Sequence, residues 1–297
     1  MKNILKTIGV VILLVSVYIA FQGIFSVLPA LIYVIKGCMD GTIAIDDVSS
    51  LSEMLGVGAG AGGALEVDAI NLLAWGMFLA TLAMLLFLHV TGYYKFQRGL
   101  LTSVSRRPLL YSVLLVFASM FALNILVQSF ELENLLEEQL TALSHNVVGA
   151  LTISVFAPLL EEVLFRGAIQ GYMMRKFKPW TAIICSALVF GLIHMNPVQI
   201  VYATLLGIIF GWIYYRTGSL LPVILGHILN NSFATIVTLS GVEEESITSA
   251  DTTEKFIMGL VFIVATFAAL KLVRMLNKEL PPVDKCTDEA VCEEQQN

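Results

Sequence analysis

Residues 158–166 read PLLEEVLFR, and this stretch decides how the rest of the chain must be arranged. Two adjacent carboxylates, Glu161 and Glu162, and the guanidinium of Arg166 lie in it among leucine, valine and phenylalanine. A charge at the centre of a bilayer costs at least about 2.5 kcal/mol on insertion scales, so these groups oppose insertion while their neighbours favour it. Ionisable residues in such a segment are by default candidates for a functional site.

The composition around this stretch is that of a polytopic helical membrane protein. Of the 297 residues, 57% are hydrophobic and 13% are charged, and the mean hydropathy of +0.84 lies outside the range of soluble domains. The net charge of -6 gives no indication of a nucleic-acid partner. The cysteines are too widely spread for a disulfide framework or a zinc ribbon. They are Cys38, Cys185, Cys286 and Cys292.

Apolar segments along the chain predict an all-α membrane bundle with about eight transmembrane helices. At about 1.5 Å per residue each segment is long enough to cross, or nearly cross, a hydrocarbon layer of about 30 Å, although the fifth is short. The first is too long for the apolar region of a signal peptide, so we expect an uncleaved span. The segments cover approximately residues 4–35, 69–93, 108–130, 147–171, 180–194, 198–215, 220–240 and 256–275.

Lysine and arginine orient the bundle, because cytoplasmic loops of membrane proteins collect positive charge. With the N-terminus inside, the outer segments hold only Lys36 and Lys255. The pattern predicts cytoplasmic N- and C-termini in an integral multi-pass membrane protein, located in the cell membrane if the source is prokaryotic. The inner segments hold Lys2, Lys6, Lys95, Arg98, Arg106, Arg107, Arg175, Lys176, Lys178, Arg216, Lys271, Arg274, Lys278 and Lys285.

Residues 131–144 have the periodicity of an amphipathic helix. Leucines recur on one face and glutamates on the other, which fits a helix lying on the membrane surface or capping the bundle. An ordinary solvated helix with one packed face fits equally well. The leucines are Leu132, Leu135, Leu136, Leu140 and Leu143, and the glutamates are Glu131, Glu133, Glu137 and Glu138.

Within the helix that contains PLLEEVLFR, spacing separates the two carboxylates. Glu162 and Arg166 are four residues apart and can pair along one face, whereas Glu161 points about 100° away and is free to face a cavity. Pro158 has no N–H for the carbonyl of Ser154, four residues earlier, so we expect a kink just before the pair.

Two further polar sites interrupt apolar helices. His194 ends the sequence FGLIH, four residues after Phe190, and His227 begins HILNN, four residues before Asn231. That spacing places His227 and Asn231 on one helix face. Two glutamates, two histidines, an asparagine and an arginine on nearby spans together indicate a functional site. The predicted span ends put the two histidines at different depths, so a common site requires tilt or a helix break.

The chemistry that this set supports is hydrolysis. A glutamate with a histidine can take a proton from water and pass it to a leaving amine. A second histidine and an asparagine amide can donate hydrogen bonds to a developing oxyanion. Two histidine nitrogens with one or two carboxylates are equally an acceptable set of zinc ligands, and the residue pattern does not choose between the two possibilities.

Three motifs, in this order on successive apolar segments, resemble the CAAX protease and bacteriocin-processing (CPBP, or Abi) family of intramembrane endopeptidases. Each motif alone is weak, whereas the ordered set is specific. The resemblance covers about residues 146–240. The motifs are EExxxR at Glu161, Glu162 and Arg166, FxxxH at Phe190 and His194, and HxxxN at His227 and Asn231.

The resemblance implies a role for each residue of the site. Glu161 and His194 would activate water, and His227 and Asn231 would stabilise the oxyanion. Glu162 would complete the catalytic set, with the roles of the two adjacent glutamates open to exchange. Arg166 and Phe190 would support the site structurally.

The resemblance does not settle the cofactor or the substrate. Members are described both as metal-free glutamate proteases and as metalloproteases, so the expectation is either no cofactor or a zinc ion held by Glu161, His194 and His227. Eukaryotic relatives trim prenylated CAAX proteins, and many bacterial ones are linked to peptide processing or bacteriocin immunity. The expected partner is a membrane-associated peptide or protein, with or without a lipid.

Two hypotheses without hydrolysis use the same polar cluster. The protein could be a binding or immunity protein of the membrane, or a proton-coupled transporter. Against transport, the segment containing the two glutamates has no counterpart in the first half of the chain, as an inverted repeat would require.

The sequence thus predicts four regions. Three spans and the amphipathic helix occupy residues 1–145, and a CAAX-protease-like catalytic core occupies residues 146–240. A last span follows at residues 241–278. The acidic tail, residues 279–297, contains two prolines and few apolar residues, so we expect it to be disordered.

Overall fold

A computed structural model describes residues 2–41, 64–93, 104–241 and 251–280 of the chain. Over these residues the fold is helical, without strands. Helix α1 consists of three consecutive segments, Lys2–Gln22, Gly23–Val27 and Leu28–Met39. The others are α2 Ala64–Thr91, α3 Arg106–Gln128, α4 Glu137–His145, α5 Val147–Met174, α6 Pro179–Leu192, α7 Pro197–Thr217, α8 Leu221–Leu239 and α9 Thr252–Glu279.

Seven of the described helices are long and apolar enough to cross a membrane, which confirms the all-α polytopic bundle and the multi-pass membrane location. The remaining apolar segment, α6, is the fifth in chain order and has only 14 residues. At about 1.5 Å per residue it is shorter than the hydrocarbon layer. The sidedness of the termini stays a prediction. Residues 281–297 of the acidic tail, and most of the residues between the first, second and third predicted segments, lie outside the described residues.

Helix α5 is the centre of the bundle. Every residue of its segment Glu162–Gln170 is buried, including the charged ones. A helix that is buried on all sides must be surrounded by other helices, so its neighbours shield it from the lipid. Leu164, Phe165 and Ile169, all fully buried, belong to the main apolar core.

The hydrogen bonding of α5 changes on both sides of Pro158. Segments Thr152–Phe156 and Glu162–Gln170 are π-helical, with a short α-helical segment between them. The Ala157 N–H donates to the carbonyl of Thr152, five residues back. The kink expected just before the two glutamates stays a prediction, and what the structure shows there is a switch to π-helical hydrogen bonding, a feature often found at functional sites.

The amphipathic helix predicted for residues 131–144 is wrong at its start, since α4 begins at Glu137. Glu131 has a left-handed backbone, with φ of 51°. The Leu135 N–H donates to the side-chain oxygen of Asn196 at 3.0 Å rather than to a helix carbonyl. A hydrogen bond to a residue 61 positions away in the sequence thus takes the place of the backbone hydrogen bond expected in the first helical turns. Leu143, on α4 itself, is buried as the leucine pattern predicted.

Helices α6 and α7 approach each other closely at Gly191. A Cβ atom there would overlap the Thr204 hydroxyl and lie 2.6 Å from the carbonyl oxygen of Ile200. Only glycine allows this separation, which brings the end of α6 against α7 just before His194. The packing at Gly191 therefore fixes where the FxxxH segment leaves its helix.

We predict that Gly191→Ala destabilises the protein. Overpacking a tight contact costs about 1 to 3 kcal/mol, because the two helices must separate. The apparent melting temperature of purified protein in detergent should fall by several degrees. Gly259→Ala on α9 is the matched control, since a Cβ there meets nothing within 4 Å. Equal melting temperatures for the two variants would contradict the close approach.

Candidate active site

The structure separates the two adjacent glutamates. Glu162 is fully buried, with one carboxylate oxygen 3.2 Å from Nε of Arg166 and the other 2.8 Å from Nδ1 of His227. Glu161 instead lines a cavity of about 510 Å³, and one of its oxygens lies 3.6 Å from Nε2 of His227. The predicted pairing of Glu162 with Arg166 is present, and Glu161 is the carboxylate that faces open space.

The charge of Arg166 is buried between two aromatic rings. Its guanidinium carbon lies 4.4 Å from the ring centroid of Phe190 and 5.2 Å from that of Phe210. Its Nη2 donates to the carbonyl oxygen of Gly207 at 3.1 Å. A Cβ at Gly207 would lie 3.1 Å from the same nitrogen, so α7 needs glycine there. Glu162 and these contacts compensate the buried charge, whereas Nε and Nη1 have no hydrogen-bond partner among the described residues.

His227 links the two glutamates. Since Arg166 keeps Glu162 in the role of an acceptor, the hydrogen bond at Nδ1 is donated by the ring. Nε2 then faces Glu161, as an acceptor in the neutral ring or as a donor in the imidazolium. With an imidazolium, the charges of two glutamates, the arginine and His227 cancel. Phe210 packs on the ring, with 4.9 Å between centroids.

His194 lies just beyond the end of α6 and lines the same cavity. Its Nδ1 is 2.8 Å from the carbonyl oxygen of Phe190. A carbonyl only accepts, so Nδ1 carries the hydrogen, and Nε2 is the acceptor of the neutral ring. The Phe190 ring contacts both His194 and His227 at right angles, with centroid distances of 5.1 and 5.8 Å.

The turn that carries His194 is held in an uncommon backbone conformation. Met195 has a φ of 50°, in the left-handed region that residues other than glycine seldom adopt. The next residue, Asn196, is fully buried and donates its side-chain N–H to the side-chain oxygen of Asn134 at 2.8 Å. The turn between α6 and α7 therefore holds His194 at the cavity, while the relative depths of the two histidines stay a prediction.

Asn231 also lines the cavity, but its partners differ from those of His227. Its Nδ2 donates to the carbonyl oxygen of Ile153 at 2.9 Å, and its Oδ1 accepts from Asn230 at 3.0 Å. Asn230 in turn accepts from the hydroxyl of Tyr202 at 2.6 Å. The shared helix face predicted by the HxxxN spacing places both residues at the cavity.

Sequence analysis missed four residues in contact with the site. Asn230 adjoins Asn231 in HILNN, so the second polar residue of that pair was a usable signal. Gly207, Phe210 and Tyr202 lie on α7, where nothing in the apolar pattern distinguishes them from residues that face lipid. These three are recognisable only from their contacts with residues of other helices.

One part of the chain is similar to known proteins. Residues 143–233 match the family model described as type II CAAX prenyl endopeptidase Rce1-like. This segment is similar to the Rce1-like family. The resemblance to CAAX proteases is therefore confirmed, and the Rce1-like segment contains all seven residues of the three motifs.

A curated relative agrees over a similar length. The "Putative membrane peptidase YdiL" of Bacillus subtilis (strain 168) is 32% identical to this chain over 89 residues, which are 30% of this chain and 36% of that protein. The chain thus spans about a third of the length of the curated relative that it matches. No solved structure matches the chain.

The Rce1-like segment contains the residues that could ligate a zinc ion. Among the described residues, no group of three or more histidine, cysteine, aspartate or glutamate side chains is placed so that it could hold a metal ion. The proposed zinc ligands Glu161, His194 and His227 line one cavity, and the nitrogen that each histidine would offer a metal is Nε2, since Nδ1 is engaged by a carbonyl or a carboxylate. As placed, these residues do not fit a metal site, and no step of the reaction below uses one.

The different surroundings of the two glutamates predict different effects on stability. Glu162→Gln leaves the buried Arg166 without its anion, and breaking a buried pair in this way costs about 3 to 5 kcal/mol. Its apparent melting temperature in detergent should therefore fall strongly. Glu161→Gln, the matched control one residue away, removes no ion pair with Arg166 and should change it little. A larger loss for Glu161→Gln would overturn the assignment of the two environments.

Proposed function

We propose that the protein is an intramembrane endopeptidase that hydrolyses a peptide bond of a membrane-associated protein or peptide. One observation carries this proposal: Glu161, His194, His227 and Asn231, from two helices and the turn after α6, line a single cavity. The match of residues 143–233 to an endopeptidase family supports the same class of reaction.

In this mechanism Glu161 is the general base. As the oxygen of a water attacks the substrate carbonyl carbon, one proton passes from the water to the Glu161 carboxylate. When the tetrahedral intermediate collapses and the C–N bond breaks, that proton passes to the leaving nitrogen and the carboxylate is restored. His194, with Nε2 as an acceptor, binds the second hydrogen of the water and orients it for attack.

His227 and Asn231 stabilise the oxyanion. The His227 ring donates through Nδ1 to Glu162, so its Nε2 can donate to the oxyanion when the ring is an imidazolium. One N–H of the Asn231 amide is used by the Ile153 carbonyl, which leaves the other for the substrate oxygen. Donors aimed at the developing charge are worth more here than in water, because the site is buried.

Glu162 and Arg166 act through His227 rather than on the substrate. Glu162 fixes the ring orientation by its 2.8 Å contact to Nδ1. Arg166 prevents Glu162 from turning towards the cavity. The assignment makes Glu161 the base and Glu162 a positioning residue, so the two glutamates are not interchangeable.

The substrate is a peptide segment that enters the bundle. Amide side chains line the cavity beside apolar ones, and amides donate and accept hydrogen bonds as an extended peptide backbone requires. The name of the matched family includes a prenyl group, so the presence of a lipid on the substrate is a variable for experiment. The amides of the cavity are Asn124, Gln128, Asn134, Gln199, Asn230 and Asn231.

The test is cleavage of a panel of membrane-associated peptides by purified protein, with each peptide in prenylated and unmodified form and with products identified by mass spectrometry. We predict that Glu161→Gln and His194→Ala each lower kcat at least about 100-fold, because each removes a group that acts on the water. Glu138→Gln, an exposed glutamate on α4, is the control and should cleave like the unmodified protein.

Adding a chelator to the assay distinguishes a metal-free glutamate protease from a metalloprotease. We expect cleavage to survive a strong zinc chelator, since the proposed base and donors are protein side chains. Loss of cleavage that added zinc restores would instead support a metalloprotease. Undiminished cleavage by both variants would refute the residue assignment. Absence of product from every peptide would favour the binding or transport hypotheses, which predict no hydrolysis.

A further inference from the structure

A chain of hydrogen bonds leads from α7 to the backbone of α5 through two adjacent asparagines. The Tyr202 hydroxyl donates to Asn230 Oδ1 at 2.6 Å, and Asn230 Nδ2 donates to Asn231 Oδ1 at 3.0 Å. Asn231 Nδ2 then donates to the Ile153 carbonyl oxygen at 2.9 Å. We call this series, Tyr202–Asn230–Asn231–Ile153, the amide relay. The three side chains of the relay line the cavity that contains Glu161.

The Ile153 carbonyl can accept from a side chain because neither usual backbone donor reaches it. In an α-helix its donor would be the N–H of Ala157, which bonds to Thr152 instead. In a π-helix its donor would be residue 158, which is proline and has no N–H. At π-helical spacing Pro158 thus frees the Ile153 carbonyl, rather than the Ser154 carbonyl expected for an α-helix.

This carbonyl sets the direction of every bond in the relay. A carbonyl oxygen only accepts, so the Asn231 amide must turn its nitrogen towards Ile153 and its oxygen towards Asn230. Asn230 must then present its nitrogen to Asn231 and its oxygen to Tyr202, whose hydroxyl donates. Reversal of any one amide would place two acceptors or two donors face to face, which costs far more than a lost hydrogen bond with water.

We propose that Tyr202 and Asn230 are positioning residues for the Asn231 amide. Through the amide relay they hold its oxygen away from the reacting carbonyl and keep its second N–H available to the oxyanion. Two hydrogen bonds fix the amide plane, one donated to Ile153 and one accepted from Asn230, as a preorganised oxyanion donor requires. This inference rests on the proposed function, because it assigns a purpose to the orientation of Asn231.

The first test is kinetic. Asn230→Leu keeps a similar volume but removes the donor to Asn231, and we predict a fall in kcat of about 10- to 100-fold, below the 100- to 1000-fold loss typical of removing an oxyanion donor. Tyr202→Phe should lower kcat about 3- to 10-fold, because it removes the far end of the relay. KM should stay unchanged in both, since the oxyanion forms only after attack.

The matched control is Tyr215→Phe, the same substitution on the same helix at a residue that does not line the cavity. Its kcat and KM should equal those of the unmodified protein. The two relay substitutions should cause no further loss when combined with Asn231→Ala, because they act through that amide. Losses that multiply in the Asn231→Ala background, or that appear in KM, would overturn the positioning role.

A second test needs no catalysis. If the relay is formed, the effects of Tyr202→Phe and Asn230→Leu on the apparent melting temperature should be non-additive, since each removes the same hydrogen bond between α7 and α8. Non-additivity with unchanged kcat would refute positioning while leaving the endopeptidase proposal intact. Non-additivity with no cleavage by the unmodified protein would instead count against the endopeptidase proposal. Simple additivity would show that the relay itself is not formed.

Discussion

The structure depends on the buried carboxylate of Glu162, which is shared by Arg166 and His227. The Arg166 side chain is only 1% exposed, so its charge cannot be hydrated and needs an anion within reach. That requirement fixes the rotation of α5 about its axis. Because adjacent residues on a helix point about 100° apart, Glu161 is directed into the cavity when Glu162 faces Arg166. One ion pair thus places the Glu162 carboxylate in the buried core and the Glu161 carboxylate at the cavity.

The irregular hydrogen bonding of α5 serves the same site. Two π-helical segments flank Pro158, and the carbonyl of Ile153 is left to bind the Asn231 amide. A regular α-helix would engage that carbonyl in its own backbone. The cavity is completed by the turn after α6, where Asn196 secures the backbone beside His194. Backbone groups released from helices therefore orient the polar side chains around the cavity.

Short-range spacing predicted the parts of the site that lie on one helix. The EExxxR motif gave the pairing of Glu162 with Arg166, and HxxxN placed His227 and Asn231 on a common face, because helix geometry fixes both relations locally. The same reasoning began α4 six residues too early, at 131 rather than Glu137. There the deciding contact comes from Asn196, and no pattern within residues 131–144 contains information about it.

The sequence by itself determined that the chain is an all-helical membrane protein with one polar cluster, because apolar length and buried charge are properties of single segments. It also determined which motifs supply that cluster. Only the tertiary structure decided that Glu161 shares one cavity with His194 and Asn231, that His227 joins the two glutamates, and that Tyr202 and Asn230 reach Asn231. These facts depend on distances between helices, and such distances are set by packing at contacts like Gly191 and Gly207 that have no signature in the linear pattern.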